Sequence, residues 1–286
     1  MPVALVTDST AYLPRDLVAE NGIQLVSLYV NWEEESEREV DMPDFNGFYD
    51  RLRTADRLPT TSQPSIGDFL DVYKPLVEQG YDVVSVHISG GISGTVESAR
   101  QAKERLSEDA GADRVTVIDS ERACGGLGLM ALAGAKAAES GGDLEAVVER
   151  VGSARSGLKM WFAVDTLEYL RRGGRIGAAS AWLGSALKIK PILTLDKEIT
   201  PIERVRTSGR AFERMVDFLR ARHEDGCDAW VVQHIQARDQ AEALADRGRE
   251  IFGKEPAFVG EIGPVIGTHV GPGLLGVGGI PSSLLS

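Results

Sequence analysis

Short apolar runs recur through the first half of this chain, at Val3 to Thr7, Ile23 to Val30, Val83 to Ile88 and Val115 to Ile118. Runs of that length and composition are strands buried on both faces. Helical stretches separate them. Pro14 opens one that Asn21-Gly22 closes, and Pro43 to Leu52 sets Phe45, Phe48, Tyr49 and Leu52 on one face. Ser65, with Asp68 three residues on, caps a third, where Phe69, Val72, Tyr73, Leu76 and Val77 keep the helical period and Pro75 is expected to kink or shorten it. Thr95 to Leu106 and the small-residue stretch Gly125 to Ala138 follow. Strand–helix alternation of this kind gives a parallel sheet covered on both faces. The acidic stretch Glu33 to Glu37 interrupts it as a solvated loop or hairpin tip.

Composition changes near Val151 to Gly157, and the elements beyond differ in kind. A strand at Met160 to Val164, a helix at Thr166 to Arg171, a glycine break and a second small-residue helix at Ala178 to Leu187 lead to Pro191 to Leu195. That run and Ile202 to Val205 flank Asp196-Lys197-Glu198 as a hairpin. Helix Gly209 to Arg222, strand Ala229 to Ile235, helix Gln240 to Phe252 and strand Ala257 to Ile262 complete the series. Hairpins mixed with helices imply a mixed sheet. The expectation is an α/β protein of two domains: residues 1–155 as a three-layer parallel-sheet domain, and residues 156–286 as a mixed-sheet α/β domain.

Composition excludes several classes of function. With 286 residues, 43% hydrophobic and 26% charged, the chain has the make-up of a globular protein with a sizeable core. A formal net charge of −12 argues against nucleic acid as the partner, since phosphate binding needs a positive field. Cys124 and Cys227 stand in no metal or redox spacing, which points to a reduced, cytoplasmic chain. No stretch approaches the roughly 18–20 apolar residues of a spanning helix, and the N-terminus lacks the basic region of a signal peptide.

Two hydroxyl-rich loops carry the chemistry. Ser89-Gly90-Gly91-Ile92-Ser93-Gly94-Thr95 sits between a strand and a helix start, where free backbone N–H groups and hydroxyls suit an anion. Pro59-Thr60-Thr61-Ser62-Gln63-Pro64-Ser65 supplies further hydroxyls, and neither loop has a lysine, a histidine or a metal-binding cluster. Such a site holds a carboxylate or phosphate without transforming it. Ser93 can serve both as a helix cap and as an anion ligand, and Asp8-Ser9-Thr10 ends the first strand either as a capped turn or as a ligand loop. His87 and His234 lie in apolar strands as core residues, and His223 is solvated. His269 lies in Gly263 to Gly273, whose glycines and prolines read as a loop with an unusual backbone path. Walker, GxSxG, HExxH and CxxC motifs are absent. A Ser93–His269–Asp8 arrangement remains formally open as a hydrolase triad.

Taken in order, these motifs resemble the DegV family. The resemblance rests on Val6 to Ala11, Pro59 to Ser65, Ile88 to Thr95, Val117 to Ser120, Asp165 to Leu170, Gly173 to Ile176, Lys190 to Leu193 and Ile266 to Gly273. It spans essentially the whole chain, with Gly90 a departure where many relatives have serine. What it implies is a non-catalytic protein that buries one long-chain fatty acid as ligand, without metal or other cofactor. The carboxylate would be held by Thr61 and Ser93, with Ser62, the Gly94 backbone and His269 nearby. Some members are the lipid-carrier subunits of a bacterial fatty-acid kinase and present the carboxylate to an ATP-dependent kinase subunit, feeding phospholipid synthesis. In such a carrier Arg172, Arg175, Arg204 and Arg206 would contact the head group or the partner, and transient contact with a membrane surface is compatible. A serine-dependent acyl hydrolase and a lipid-bound regulatory protein are the competing readings.

Overall fold

The computed structural model describes residues 1–110, 113–183 and 189–286. The first half contains strands β1 (Val3–Asp8), β2 (Gln24–Val26), β3 (Tyr29–Trp32), β4 (Glu35–Arg38), β5 (Thr60–Ser62), β6 (Asp82–His87) and β7 (Val115–Asp119). Its helices are α1 (Arg15–Glu20), α2 (Asn46–Thr54), α3 (Ile66–Glu78), α4 (Thr95–Ala110), α5 (Cys124–Glu139) and α6 (Leu144–Gly157). The second half adds strands β8 (Lys159–Ala163), β9 (Lys190–Asp196), β10 (Glu198–Val205), β11 (Ala229–His234), β12 (Phe258–Glu261) and β13 (Leu275–Ile280). Helices α7 (Glu168–Arg172), α8 (Ser208–Glu224), α9 (Arg238–Phe252) and α10 (Pro264–Val270) accompany them.

The parallel sheet runs in the order β2-β1-β6-β7. Every residue of β1 and β6 is buried, which is why both read as continuous apolar runs. Helices α3 and α4 pack on one side of this sheet, and α5 and α6 pack with β1 and β6 on the other. The mixed sheet runs β10-β9-β8-β13-β11-β12, with β11 and β12 parallel and its other pairs antiparallel. A small antiparallel sheet, β4-β3-β5, carries the first hydroxyl loop.

Helix α5 lies between the two large sheets. It contacts β1 and β6 of one and β11 and β13 of the other, and only its last turn reaches solvent. Its Gly- and Ala-rich sequence allows that double approach. Opposite, Met215 and Leu219 of α8 and Leu244 of α9 cover the far face of the mixed sheet, packing in one cluster with Trp230 of β11.

Several expectations need correction. The run Ile23 to Val30 is two strands in two sheets, because the chain turns at Ser27-Leu28, where the Ser27 hydroxyl bonds the Leu28 carbonyl. Pro75 does not shorten its helix: α3 continues through it to Glu78, begun by the Ser65–Asp68 capping box. The glycine-rich strand β13, which lies in the middle of its sheet, is absent from the expected strands. The helix expected over Ala178 to Leu187 is a 3-10 segment at Gly177–Trp182, and its later residues lie outside the described ones. The hairpin tip at Glu33 and the hairpin of β9 with β10 are present as expected.

The Gly263 to Gly273 segment is the most consequential difference. Its residues Pro264–Val270 form helix α10, with Pro264 at the first position, and the unusual backbone path is confined to its end, where Gly271 (φ 77°) and Gly273 (φ 90°) have positive φ. Tyr49 anchors its start. That ring is fully buried, and its hydroxyl lies 2.7 Å from the Ile262 carbonyl and 3.0 Å from that of Gly263. Tyr49→Phe removes the hydroxyl donor of the Ile262 carbonyl, while Gly263 keeps the Gly267 N–H at 2.9 Å, and is expected to cost about 1–3 kcal/mol, measurable by urea unfolding.

Candidate functional site

The two hydroxyl loops, α10, the start of α5 and the inner face of the mixed sheet line a cavity whose empty volume, open solvent at its mouth included, is about 1020 Å³. Its walls are mainly apolar and include Ile88, Leu170, Leu195, Val231, Ile262 and Leu274. Thr61, Ser62, Gln63, Ser93, Arg175 and His269 are polar members of the lining, with Thr61 against His269, Gln63 against Gly94 and Arg175 tied to the Ile92 carbonyl beside Ser93. Ser93 stands in the loop at the carboxyl end of β6, beside β1. Parallel sheets place ligand sites outside such strand ends.

Thr61 and His269 meet although 208 residues separate them: Oγ1 and Nε2 are 2.7 Å apart. Strand β5 holds Thr61 opposite Val30, and α10 holds the imidazole. Gly173 lies behind the ring, where a Cβ would collide with Nδ1. That nitrogen is buried without a hydrogen-bond partner. Burial, and secondarily the Arg175 charge, push the His269 pKa down to about 4, so the ring is neutral at pH 7.

Ser93 Oγ lies 2.8 Å from the Thr95 hydroxyl and accepts from the Thr95 N–H at 3.3 Å. This is a local turn one residue ahead of the helix start, since the first helical bond of α4 is accepted by the Gly94 carbonyl, and Ser93 also lines the cavity. Gly94 packs on Gln63, whose Nε2 would lie 2.8 Å from a Cβ at that position. Ser62 lines the same end and accepts from Asn31 Nδ2 at 3.3 Å. Gly90 donates its N–H to Asp119 Oδ1 at 3.1 Å, and a Cβ there would meet Asp119 Oδ2 at 2.8 Å. The departure at this position therefore fits a tight backbone-to-carboxylate contact.

The arginines separate. Arg175 lines the cavity and donates to the carbonyls of Gly173 (2.7 Å) and Ile92 (3.4 Å), tying the α7 turn to the Ser93 loop. Arg172 donates to the Asp56 carbonyl at 3.2 Å and does not line the cavity. Arg204 stands over the Trp182 ring, 5.2 Å from its centroid, and Arg206 is exposed nearby, both away from the cavity.

The residues of the formal hydrolase triad are not brought together. Asp8 is fully buried and faces His87, with Nδ1 3.1 Å from Oδ2; it also accepts from the Thr10 N–H and the Ile88 N–H. His87 passes on to Ser85 and Tyr73 in an interior chain of hydrogen bonds. His269 bonds Thr61, not Ser93, and no carboxylate orients it. His87 and His234 are buried and His223 is exposed, as expected.

Two buried groups escaped sequence reasoning. Glu39 accepts from Ser9 (2.7 Å), Tyr12 (2.8 Å) and the Val265 N–H (2.8 Å) in the first turn of α10, and burial raises its pKa to about 7. Its place in an acidic, apparently solvated region hid it. Gln233 lines the cavity from β11. Among the described residues no group of histidine, cysteine and carboxylate side chains could hold a metal ion, and no helix is long and apolar enough to cross a membrane.

The model of the DegV family, described as uncharacterised protein, matches residues 2–282. The chain belongs to the DegV family. It is 40% identical to a DegV domain-containing protein of Streptomyces coelicolor over 278 residues, 96% of this chain and 97% of that one. Protein DegV of Bacillus subtilis is 35% identical over 282 residues, 97% of this chain and 98% of its own. Among solved structures, a DegV family protein from Thermus thermophilus described by its fatty-acid binding superposes with a TM-score of 0.87 at 37% identity, covering 98% of this chain and 100% of the other. The B. subtilis DegV structure, described as a fatty-acid-binding protein, gives 0.86 at 35%, covering 98% and 99%. The α/β fold with its parallel and mixed sheets agrees with these DegV structures.

Proposed function

We propose that this protein is a cytoplasmic carrier that buries one long-chain fatty acid, with the carboxylate at the Thr61–Ser93–His269 end and the chain in the cavity behind it. The observation that carries the reading is one mainly apolar cavity whose lining includes the hydroxyls of both loops, with Thr61 bonded to His269 and Arg175 tied to the Ser93 loop. An acyl chain of roughly sixteen carbons gains about 0.8 kcal/mol per buried CH₂, so the walls dominate affinity. The donors fix which end faces out. With the imidazole proton on Nε2, His269 donates to Thr61 Oγ1, and the threonine hydroxyl proton is free for the carboxylate. Ser93 accepts from the Thr95 N–H and turns its own proton to the same anion. Ser62 and the Gly94 backbone flank the head group. A domain boundary near residues 155/156 would place the fatty acid between two halves, each contributing walls.

The printed descriptions of the Thermus and Bacillus relatives support fatty acid as the ligand class. Native mass spectrometry of the purified protein followed by lipid extraction is the test, with one non-covalent fatty acid per chain expected. A lipid-free preparation that also fails to bind added palmitate or oleate overturns the proposal. Against a serine hydrolase stands the pairing of His269 with Thr61 and of Asp8 with His87.

In this reading the bound carboxylate is handed to an ATP-dependent fatty-acid kinase subunit that forms the acyl phosphate. Arg175 sits at the cavity and Arg172 beside it, while Arg204 and Arg206 offer a local positive face on a chain of net charge −12. Such a face orients encounter with an anionic partner surface, and a brief approach to an anionic membrane would use the same charges. Charge reversal at Arg204 and Arg206 is expected to slow acyl-phosphate formation with the matching kinase subunit and to spare fatty-acid binding. The effect should shrink as salt rises. Unaltered turnover at low salt would place the docking face elsewhere.

A further inference from the structure

The Ser93 loop is held from the other half of the chain. The tip of the hairpin between β9 and β10, Asp196-Lys197-Glu198, reaches the loop that follows β6 and the turn that follows β7. The Ser89 hydroxyl donates to the Lys197 carbonyl at 2.7 Å, and Lys197 donates its N–H to the Glu121 carbonyl at 3.0 Å. Beside them Arg122 donates to Asp196 Oδ1 at 2.6 Å. Gly91 completes the contact, because a Cβ there would collide with the Lys197 carbonyl oxygen. Both backbones are in the left-handed region where they meet, Lys197 at φ 69° and Glu121 at φ 55°. Non-glycine residues take that conformation at a cost, so it persists only where surrounding bonds hold it.

Ser89 is the residue through which the hairpin tip grips the loop. It is fully buried, although Gly90, Gly91 and Lys197 around it are exposed. Its hydroxyl accepts from the Gly91 N–H at 3.2 Å while donating to Lys197, and its carbonyl accepts from the Ile92 and Ser93 N–H groups, each at 3.1 Å. One residue thus sets the turn that presents Ser93 and ties that turn to the hairpin. Gly90, Gly91 and Gly94 give the loop little side-chain packing and much backbone entropy to lose. Such a loop offers a hydroxyl to a ligand at full strength only when it is ordered before the ligand arrives. We propose that Ser89 is a positioning residue for the fatty-acid carboxylate: clasped to the Lys197 carbonyl, it pre-orders the loop so that Ser93 meets the anion. Ser89 does not itself line the cavity. This inference rests on the proposed fatty-acid binding and adds the contact that shapes its head-group site.

The test compares palmitate with hexadecanol, which has the same chain and no charge, titrated into the delipidated full chain and its variants. Ser89→Ala removes the donor, whereas Gly91→Ala keeps it and displaces the Lys197 carbonyl. Each is expected to weaken palmitate about fivefold and hexadecanol by less than about twofold. In a Ser93→Ala background, Ser89→Ala should cost palmitate less than about twofold, since the clasp acts through that hydroxyl. A general loosening of the fold would weaken both ligands alike, and that outcome overturns the proposal. So does a full further loss on top of Ser93→Ala, or unchanged palmitate affinity in both Ser89→Ala and Gly91→Ala. Amide exchange in the lipid-free protein reads the clasp without any ligand. The Ile92 and Ser93 amides, whose acceptor the substitution leaves in place, should exchange about fivefold faster in Ser89→Ala. Equal exchange also overturns the proposal. If Ser89→Ala does not fold, Gly91→Ala carries the same comparisons. A wild type that binds neither palmitate nor oleate strikes the fatty-acid reading itself, and the exchange measurement then decides the clasp alone.

Discussion

Thr61→Ala is expected to lower the affinity for palmitate or oleate about ten- to a hundredfold while leaving the melting temperature of the lipid-free protein nearly unchanged. The substitution removes the hydroxyl that stands between the imidazole and the proposed carboxylate, 2.7 Å from His269 Nε2. A hydrogen bond to a charged group contributes about 1.5–3 kcal/mol, and each 1.4 kcal/mol is about tenfold in affinity. Ser93→Ala should act in the same direction. The two losses should fall short of additive, because both hydroxyls would serve one anion. Titration of both variants and the double variant checks this, and unchanged affinity in both single variants would mean that the head group sits elsewhere.

The second expected result concerns pH. Glu39 and His269 grip opposite ends of α10 and titrate in opposite senses. For Glu39 the folded value is raised from 4.5 to about 7, so its contribution to stability is full below pH 4.5 and is lost as pH rises through 7. For His269 the folded value is lowered from 6.5 to about 4, so its contribution is full above pH 6.5 and is lost as pH falls through 4. Each amounts to about 3 kcal/mol between its limits. Between pH 4.5 and 6.5 the two therefore oppose each other in the wild type. Glu39→Gln should show stability that rises with pH across this window relative to wild type, and His269→Gln stability that falls. Urea unfolding at several pH values reads both slopes; parallel curves for the three proteins would disprove the assignment.

Much of this was legible in the residues themselves. The short apolar runs that became β1 and β6 are buried on both faces, so they read as continuous strands, and the run at the edge strand β7, only partly buried, reads the same way through its β-branched residues. Ser65 and Asp68 announced α3 through a local bond that needs no tertiary context. The hydroxyl loops were readable for the same reason, being strand ends and helix starts. What failed depended on distant partners. Pro264 and Gly271 mark a helix's first position and its end, yet α10 holds only because Tyr49 and Glu39 bond its start from more than two hundred residues away. Strand β13 is half glycine, and its conformation is imposed by β8 and β11 on either side. Gln233 sits in a strand whose other residues are apolar or core histidine, and nothing local marks an amide that bonds the Gly125 N–H at the start of α5.

Helix α5 has no side facing water along most of its length, and it touches both large sheets. A helix in that position cannot loosen toward one sheet without opening a void against the other, since close-packed interiors do not deform continuously. The two large sheets, of different topology, thereby share one packed element. The cavity begins at the first turn of this same helix. A ligand lodged there would press on the element shared by both sheets, so its binding is expected to slow amide exchange in β1 and β6 as much as in β11 and β13.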